Sequence, residues 1–203
     1  MYTVDQLPYL TQDIPGIGGQ LKSRPEDFIV DEIPLYEPCG EGTHVYFRIE
    51  KRGIATMAAV REIARALDRS HRDIGYAGLK DADAVTTQTL SIEHIDPTRI
   101  EQLDLPRIRV VDVSRHGNKL KLGHLRGNRF CIRVRGVDTS RVDEVRSVIE
   151  TLVRRGVPNY FGAQRFGLRG DTWLIGRAML MDDFDEALAV MLGRPSAIDY
   201  GRV

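Results

Sequence analysis

Between Gly75 and Gln88 the chain reads Gly-Tyr-Ala-Gly-Leu-Lys-Asp-Ala-Asp-Ala-Val-Thr-Thr-Gln, which places one carboxylate, Asp81, behind two glycines and beside Lys80. A loop with glycines at 75 and 78 can take backbone angles closed to other residues and present a side chain into a cleft. An ammonium beside a carboxylate favours its ionised form, which a nucleophilic Asp needs, and Lys80 is the neighbour in sequence. The plainer reading of the same residues is a turn in which Asp81 bonds its own backbone. The local pattern leaves both open.

Elements on either side must hold this loop. A strand is expected over 28–33, after a loop at Pro15-Gly16-Ile17-Gly18-Gly19. Over 44–50 the residues alternate, with Val45, Phe47 and Ile49 on one face and polar groups opposite, the pattern of a half-buried strand. Met57, Val60, Ile63, Ala64 and Leu67 recur at helical spacing and predict a helix over 56–67, with Arg61, Glu62 and Arg65 outside. Another strand is expected over 87–92, and three more over 107–113, 119–124 and 129–135. In the last, Phe130, Ile132 and Val134 share a face, with Arg129, Cys131, Arg133 and Arg135 opposite. A helix then starts at Asp138-Thr139-Ser140, with Ser140 as N-cap, Asp143 in the first turn and Val142, Val145, Ile149, Leu152 and Val153 as its apolar stripe. Gly156 ends it and Pro158 prevents its resumption. Two shorter helices are expected over 173–181 and 184–192, stopped by Gly193 and Pro195. Strands outnumber helices and several are consecutive. The class is therefore α+β, a mixed, largely antiparallel sheet with helices packed on it.

The 203 residues suit one domain, or one domain and a small appendage, with enough apolar residues for a proper core. No run approaches the roughly 20 apolar residues that span a bilayer, so no membrane partner is expected. The start, Met-Tyr-Thr-Val-Asp-Gln, has neither a basic nor an apolar leader pattern. Cys39 and Cys131 lack a second ligand at metal spacing and read as free thiols of a reducing cytoplasm, and the histidines suggest no metal site. Lysine plus arginine balance aspartate plus glutamate, which as a total argues against a nucleic-acid binder. Distribution argues otherwise. Arg107, Arg109, Arg115, Lys119, Lys121, Arg126, Arg129, Arg133, Arg135 and Arg141 are opposed only by Asp112 and Asp138. Such a strip can follow a phosphate backbone or can be a solvated sheet face.

Tyr76-Ala77-Gly78-Leu79-Lys80-Asp81 with Ala84-Val85-Thr86 and Gln88 resembles the signature of the TruD family of tRNA pseudouridine synthases. Lys22-Ser23-Arg24-Pro25-Glu26-Asp27-Phe28-Ile29-Val30-Asp31-Glu32 resembles the family's N-terminal motif. Asn128-Arg129-Phe130 and Val157-Pro158-Asn159-Tyr160-Phe161-Gly162-Ala163-Gln164-Arg165-Phe166-Gly167 resemble its later ones, in the family's order. The resemblance runs from Gly19 to at least Gly176, most of the chain. It implies a partial pseudouridine synthase-like catalytic core acting on a tRNA uridine, position 13 in the bacterial members. Such an enzyme cleaves the N-glycosidic bond, turns the uracil and rejoins it through C5, with tRNA as partner and no cofactor.

The resemblance makes Asp81 the carboxylate near C1′ and C6, and attack on the base, attack on the sugar and deprotonation of C2′ all fit that position. Phe28 and Phe130 become candidates to stack on the extracted base, and Asn128 to bond its edge. By pattern alone Phe130 reads first as a core aromatic, and Asn128 beside Gly127 as a turn residue. Lys22 fits a charge partner for Asp81, a phosphate contact or a solvated lysine. Gln88 fits an orienter of the loop, a contact to the base or a polar strand position. Arg165, among Tyr160, Phe161 and Phe166, fits an RNA-contacting loop or a packed turn. Glu26 and Glu32 are read as structural.

Family members are typically longer, with an insertion that begins near the 157–167 motif. Residues 1–157 are accordingly read as the N-terminal part of the catalytic domain and 158–203 as the start of the insertion domain. A fragment or split chain is expected first, ahead of a short RNA-binding module and of an oligomer. A second chain or self-association would then complete the fold, and an unpaired sheet edge and exposed apolar surface are expected.

Overall fold

Alternation makes the strands. The computed structural model describes residues 8–160, 162–167 and 169–193. Within it, β1 (Phe28–Pro34), β2 (His44–Arg52), β3 (Gly75–Tyr76), β4 (Val85–Glu93), β5 (Ile108–His116) and β6 (Leu125–Ile132) form one six-stranded sheet. The order is β5-β2-β4-β1-β6, with β3 attached to β4. Only β1 and β4 run parallel; the other pairs are antiparallel, so the sheet is mixed and largely antiparallel as the sequence predicts.

Helix α1 (Thr56–Ala66) covers one face of this sheet. Its residues Ala59, Val60, Ile63 and Ala64 pack with Leu67 on Val45, Phe47 and Ile49 of β2 and Leu90 and Ile92 of β4. Each large side chain buried there contributes about 1.5–3 kcal/mol. Helix α2 (Pro97–Glu101) is capped by Asp96, whose carboxylate accepts from the Thr98 amide at 3.0 Å.

The chain divides into two compact units. One is Gly18–Thr139, with the whole sheet, α1 and α2. The other joins the segments on either side of it and carries α3 (Val142–Arg155), α4 (Thr172–Leu180) and α5 (Phe184–Leu192).

Four local expectations change. The strand at β2 is not half-buried, because Tyr46 on its other face packs with Ala77 and Leu120. Residues 119–124 form a turn instead of a strand. Leu120 plugs that second cluster, and the Gly123 amide donates to the Ala77 carbonyl at 2.8 Å. The following strand consequently starts earlier, at Leu125. Ser140 does not cap α3: a short 3-10 turn over Thr139–Arg141 precedes the helix, and Arg141 is its N-cap residue. Among the described residues the α3 stripe is only partly covered, with Val145 and Leu152 half-buried and Val142, Ile149 and Val153 exposed. Among the described residues β6 is the last strand of the sheet order, and Phe130 and Ile132 on it are exposed. Pro195 and Phe161 lie outside the described residues.

Candidate active site

The Asp81 loop leaves the sheet after β3 and returns to it at β4. Gly75 is required by proximity rather than by backbone angle: a Cβ there would meet the Leu120 carbonyl oxygen at 2.3 Å. Gly78 has room for a Cβ, and neither glycine has a positive φ. The loop is instead gripped from beneath by side chains. Thr56, at the start of α1, accepts from the Lys80 amide at 2.8 Å and donates to Gln88 Oε1 at 2.9 Å. Gln88 Nε2 lies 3.5 Å from the Gly78 carbonyl. Lys51 Nζ donates to the Asp81 carbonyl at 2.7 Å and to that of Ile54 at 2.6 Å.

Above this grip stands the carboxylate. Asp81 Oδ1 accepts from the Asp83 amide at 3.1 Å, so the turn suggested by the sequence is real. It does not exclude the chemical reading, since Oδ2 pairs with Lys22 Nζ and the side chain remains about a third exposed. The hydrogen bond from Lys22, opposed by partial burial and aided by the Asp83 amide and the charges of Lys22 and Lys51, holds the carboxyl below its ordinary range. Lys22 reaches Asp81 from a left-handed backbone, φ 54°, a conformation that β-carbon-bearing residues seldom adopt away from constrained sites.

The sequence neighbour Lys80 is not the partner of Asp81, which corrects the first expectation. Its ammonium turns away and pairs with Glu32 at 2.6 Å, both side chains almost wholly buried. Glu32 needs that charge because it is inserted where β1 and β4 part, its Oε1 accepting from the Thr89 amide at 3.0 Å.

The aromatic residues continue outward from Lys22. Its ammonium lies 4.2 Å from the centroid of Phe28, and Phe28 meets Phe130 edge to face, with centroids 5.9 Å apart. Strand register explains the meeting. Val30 pairs with Phe130 and Phe28 with Ile132, so the two rings lie diagonally on one face. Phe130 is 56% exposed, so it is a surface ring and not a core one. Asn128, opposite Glu32 in register, is exposed on the same face. Asp27, fully buried, anchors Phe28: Arg135 clamps its carboxylate with two bonds of 2.7 Å, and the Arg133 amide donates to its carbonyl.

The structure thus brings Lys22, Phe28, Asp81 and Phe130 together and sets Asn128 nearby on the sheet. Gln88 is fully buried under the loop. Arg165 belongs to the other unit, exposed in a short 3-10 turn over Ala163–Phe166. The basic strip does not form one surface. Arg109 and Arg115 lie on β5 and Arg126 and Arg129 on β6, at opposite edges of the sheet, four strand spacings or about 19 Å apart. Arg107, Arg109 and Arg135 are moreover paired with Glu62, Glu50 and Asp27.

Two residues of the grip, Lys51 and Thr56, were not singled out in the sequence, although Lys51 had a signal. It falls in phase with Val45, Phe47 and Ile49, the core side of β2, where a solvated lysine has no place.

The family model for tRNA pseudouridine synthase D (TruD) matches residues 4–202. The chain is 54% identical over 190 residues to tRNA pseudouridine synthase D of Geobacter metallireducens, covering 94% of this chain and 47% of that protein. It is 49% identical over 194 residues to the protein of the same name from Geobacter sulfurreducens, covering 96% and 48%. A crystal structure named for tRNA pseudouridine synthase D from Methanosarcina mazei superposes with a TM-score of 0.81 at 34% identity, over 94% of this chain and 45% of that one. The chain spans about half the length of the curated relatives it matches. With the family model matching nearly the whole chain and relatives about half identical over more than nine-tenths of it, the chain belongs to the TruD family.

Proposed function

We propose that this chain carries the reacting carboxylate and base platform of a tRNA pseudouridine synthase, with Asp81 as the group that acts on the extracted uridine. The observation that carries the reading is the Asp81–Lys22 pair: an anchored carboxylate, held ionised and open to solvent, next to half-buried Phe28 and the exposed Phe130 that meets it. An ionised carboxylate is what attack on C6, attack on C1′ or deprotonation of C2′ would each need. The exposed Phe130 ring offers an aromatic surface to a base drawn out of its stack. Asn128 supplies a donor and an acceptor for a uracil edge, and Arg165 a cation for the RNA backbone. Gln88, buried, acts on the loop and through it on the base. The reaction is an isomerisation, so atoms and electrons balance without an added redox partner. Residues 1–157 serve as the N-terminal part of the catalytic domain and 158–203 as the beginning of the inserted one.

The test is conversion of uridine to pseudouridine in unmodified tRNA by the 203-residue chain and by Asp81→Asn. Product from the parent and a loss of about a hundred- to ten-thousand-fold in the variant, with tRNA binding retained, is expected. Salt-sensitive tRNA binding without product, identical in the two proteins, would replace this reading with a non-catalytic RNA-binding module.

A further inference from the structure

A buried ammonium is costly to keep unless it is put to use, and that of Lys51 is fully buried at the end of β2. Its two acceptors are main-chain carbonyls, those of Ile54 and Asp81, not a carboxylate side chain. The Ile54 bond ties the ammonium to the turn that leads into α1. The Asp81 bond ties the same ammonium to the loop that carries the reacting group. The residues paired with Lys51 on β4 and β5, Thr86 and Ile108, are uncharged, and the charges that act on it are those of Asp81 and Lys80.

We propose that Lys51 is a positioning residue for the reacting carboxylate: by donating to the Asp81 carbonyl from beneath the loop it fixes the peptide plane from which that carboxylate projects. The inference rests on the reading of Asp81 as the reacting group. Each part of Asp81 then has a separate holder, with Lys51 on its carbonyl, the Asp83 amide on Oδ1 and Lys22 on Oδ2. Lys22 is open to solvent and shares its face with the substrate side, whereas Lys51 is inaccessible to any ligand. Its influence on the reaction therefore passes through the Asp81 backbone and through charge. The charge reaches the carboxyl, because the Lys51 ammonium is among the groups that lower its pKa. Burial in turn brings Lys51 down to about 8, partly offset by the charge of Asp81 and deepened by that of Lys80.

Two measurements test this. The first compares the parent with Lys51→Met, which keeps length and apolar volume but removes the donor and the charge, in turnover of unmodified tRNA. The expected result is a fall in kcat of roughly ten- to hundred-fold from a misdirected carboxylate, with KM within about two-fold of the parent. An unchanged kcat, or a change confined to KM, would overturn the proposal. The second is a carbon-13 NMR titration of the Asp81 carboxyl in the parent, which depends neither on turnover nor on a variant that folds. A second inflection near pH 8, as Lys51 loses its proton, is expected. Its absence while Lys51 itself titrates would show that the ammonium does not act on Asp81. Failure of the parent to form product would count against the functional reading alone, and the titration would still decide the role of Lys51.

Discussion

Two lysine–carboxylate pairs meet at consecutive residues of one loop and do opposite work. Lys80 and Glu32 are sealed between β1, β4 and the loop, with side chains 4% and 2% exposed. Lys22 and Asp81 stand a third exposed beside two phenylalanine rings. The chemical partners are the same, but solvent divides their roles. In the dry pair each charge depends on the other, so the pair locks the loop to the sheet. In the wet pair little folding energy is at stake, and the lysine is left to tune and aim a carboxylate that can still reach a ligand.

Breaking the buried pair gives the largest expected effect on the fold. Lys80→Met leaves Glu32 buried without its cation and is expected to cost about 3–5 kcal/mol in chemical denaturation. A loss under about 1 kcal/mol would mean that the two pairs are energetically alike.

Phe130→Ala comes next and separates the platform from both pairs. It is expected to weaken tRNA binding or turnover by roughly ten- to a hundred-fold, the worth of about 1–3 kcal/mol of stacking, with little change in melting temperature because the ring is exposed. Melting that falls as far as in Lys80→Met would make Phe130 a core residue.

The smallest effect on the fold is expected for Lys22→Met, about 0–1 kcal/mol. Its signature is in the pH profile. The Asp81 carboxyl is lowered by Lys22, so activity that needs the carboxylate persists at acid pH down to that lowered pKa. Without Lys22 the acid limb moves to higher pH, towards the ordinary carboxylate value. An acid limb that stays in place would assign the tuning to Lys51 and the Asp83 amide instead. On the alkaline side Lys51 has the same sign as a lowered carboxylate. Its pKa is lowered in the fold to about 8, so the unfolded chain binds more protons between there and about 10.5, and stability rises with pH across that window. A denaturation series from pH 7 to 10 checks this.

Much of the architecture was legible because it depends on local period. Alternation at Val45, Phe47 and Ile49 gave β2, and helical spacing from Val60 to Ala64 gave α1, since each pattern needs only one neighbouring layer to bury its apolar side. Residues 119–124 misled because Leu120 and Leu122 alternate like a strand while only Leu120 is used, as a plug under a turn. The stripe on α3 was legible as a pattern, but nothing in a pattern says whether a layer exists to cover it. At the site, Asp81, Lys22, Phe28, Asn128 and Phe130 were marked in advance by the family motifs. Of the grip beneath them only Gln88 was marked: Thr56 looks like an ordinary helix residue, and the phase of Lys51 with the core side of β2 does not say which loop will lie over it.

By itself the sequence determined which short segments alternate, which turn, and that Asp81 sits in a loop bearing the family's signature. Only the tertiary structure decided which lysine serves which carboxylate. Lys80 is one residue from Asp81 yet pairs with Glu32, while Lys22, far back in the chain, closes on Asp81. It also parted the basic strip, because β5 and β6 follow one another in sequence but lie at opposite edges of the sheet. The physical reason is the same in both cases. Charge acts through distance and solvent, and in a mixed sheet both are set by strand order, which separation along the chain does not reveal.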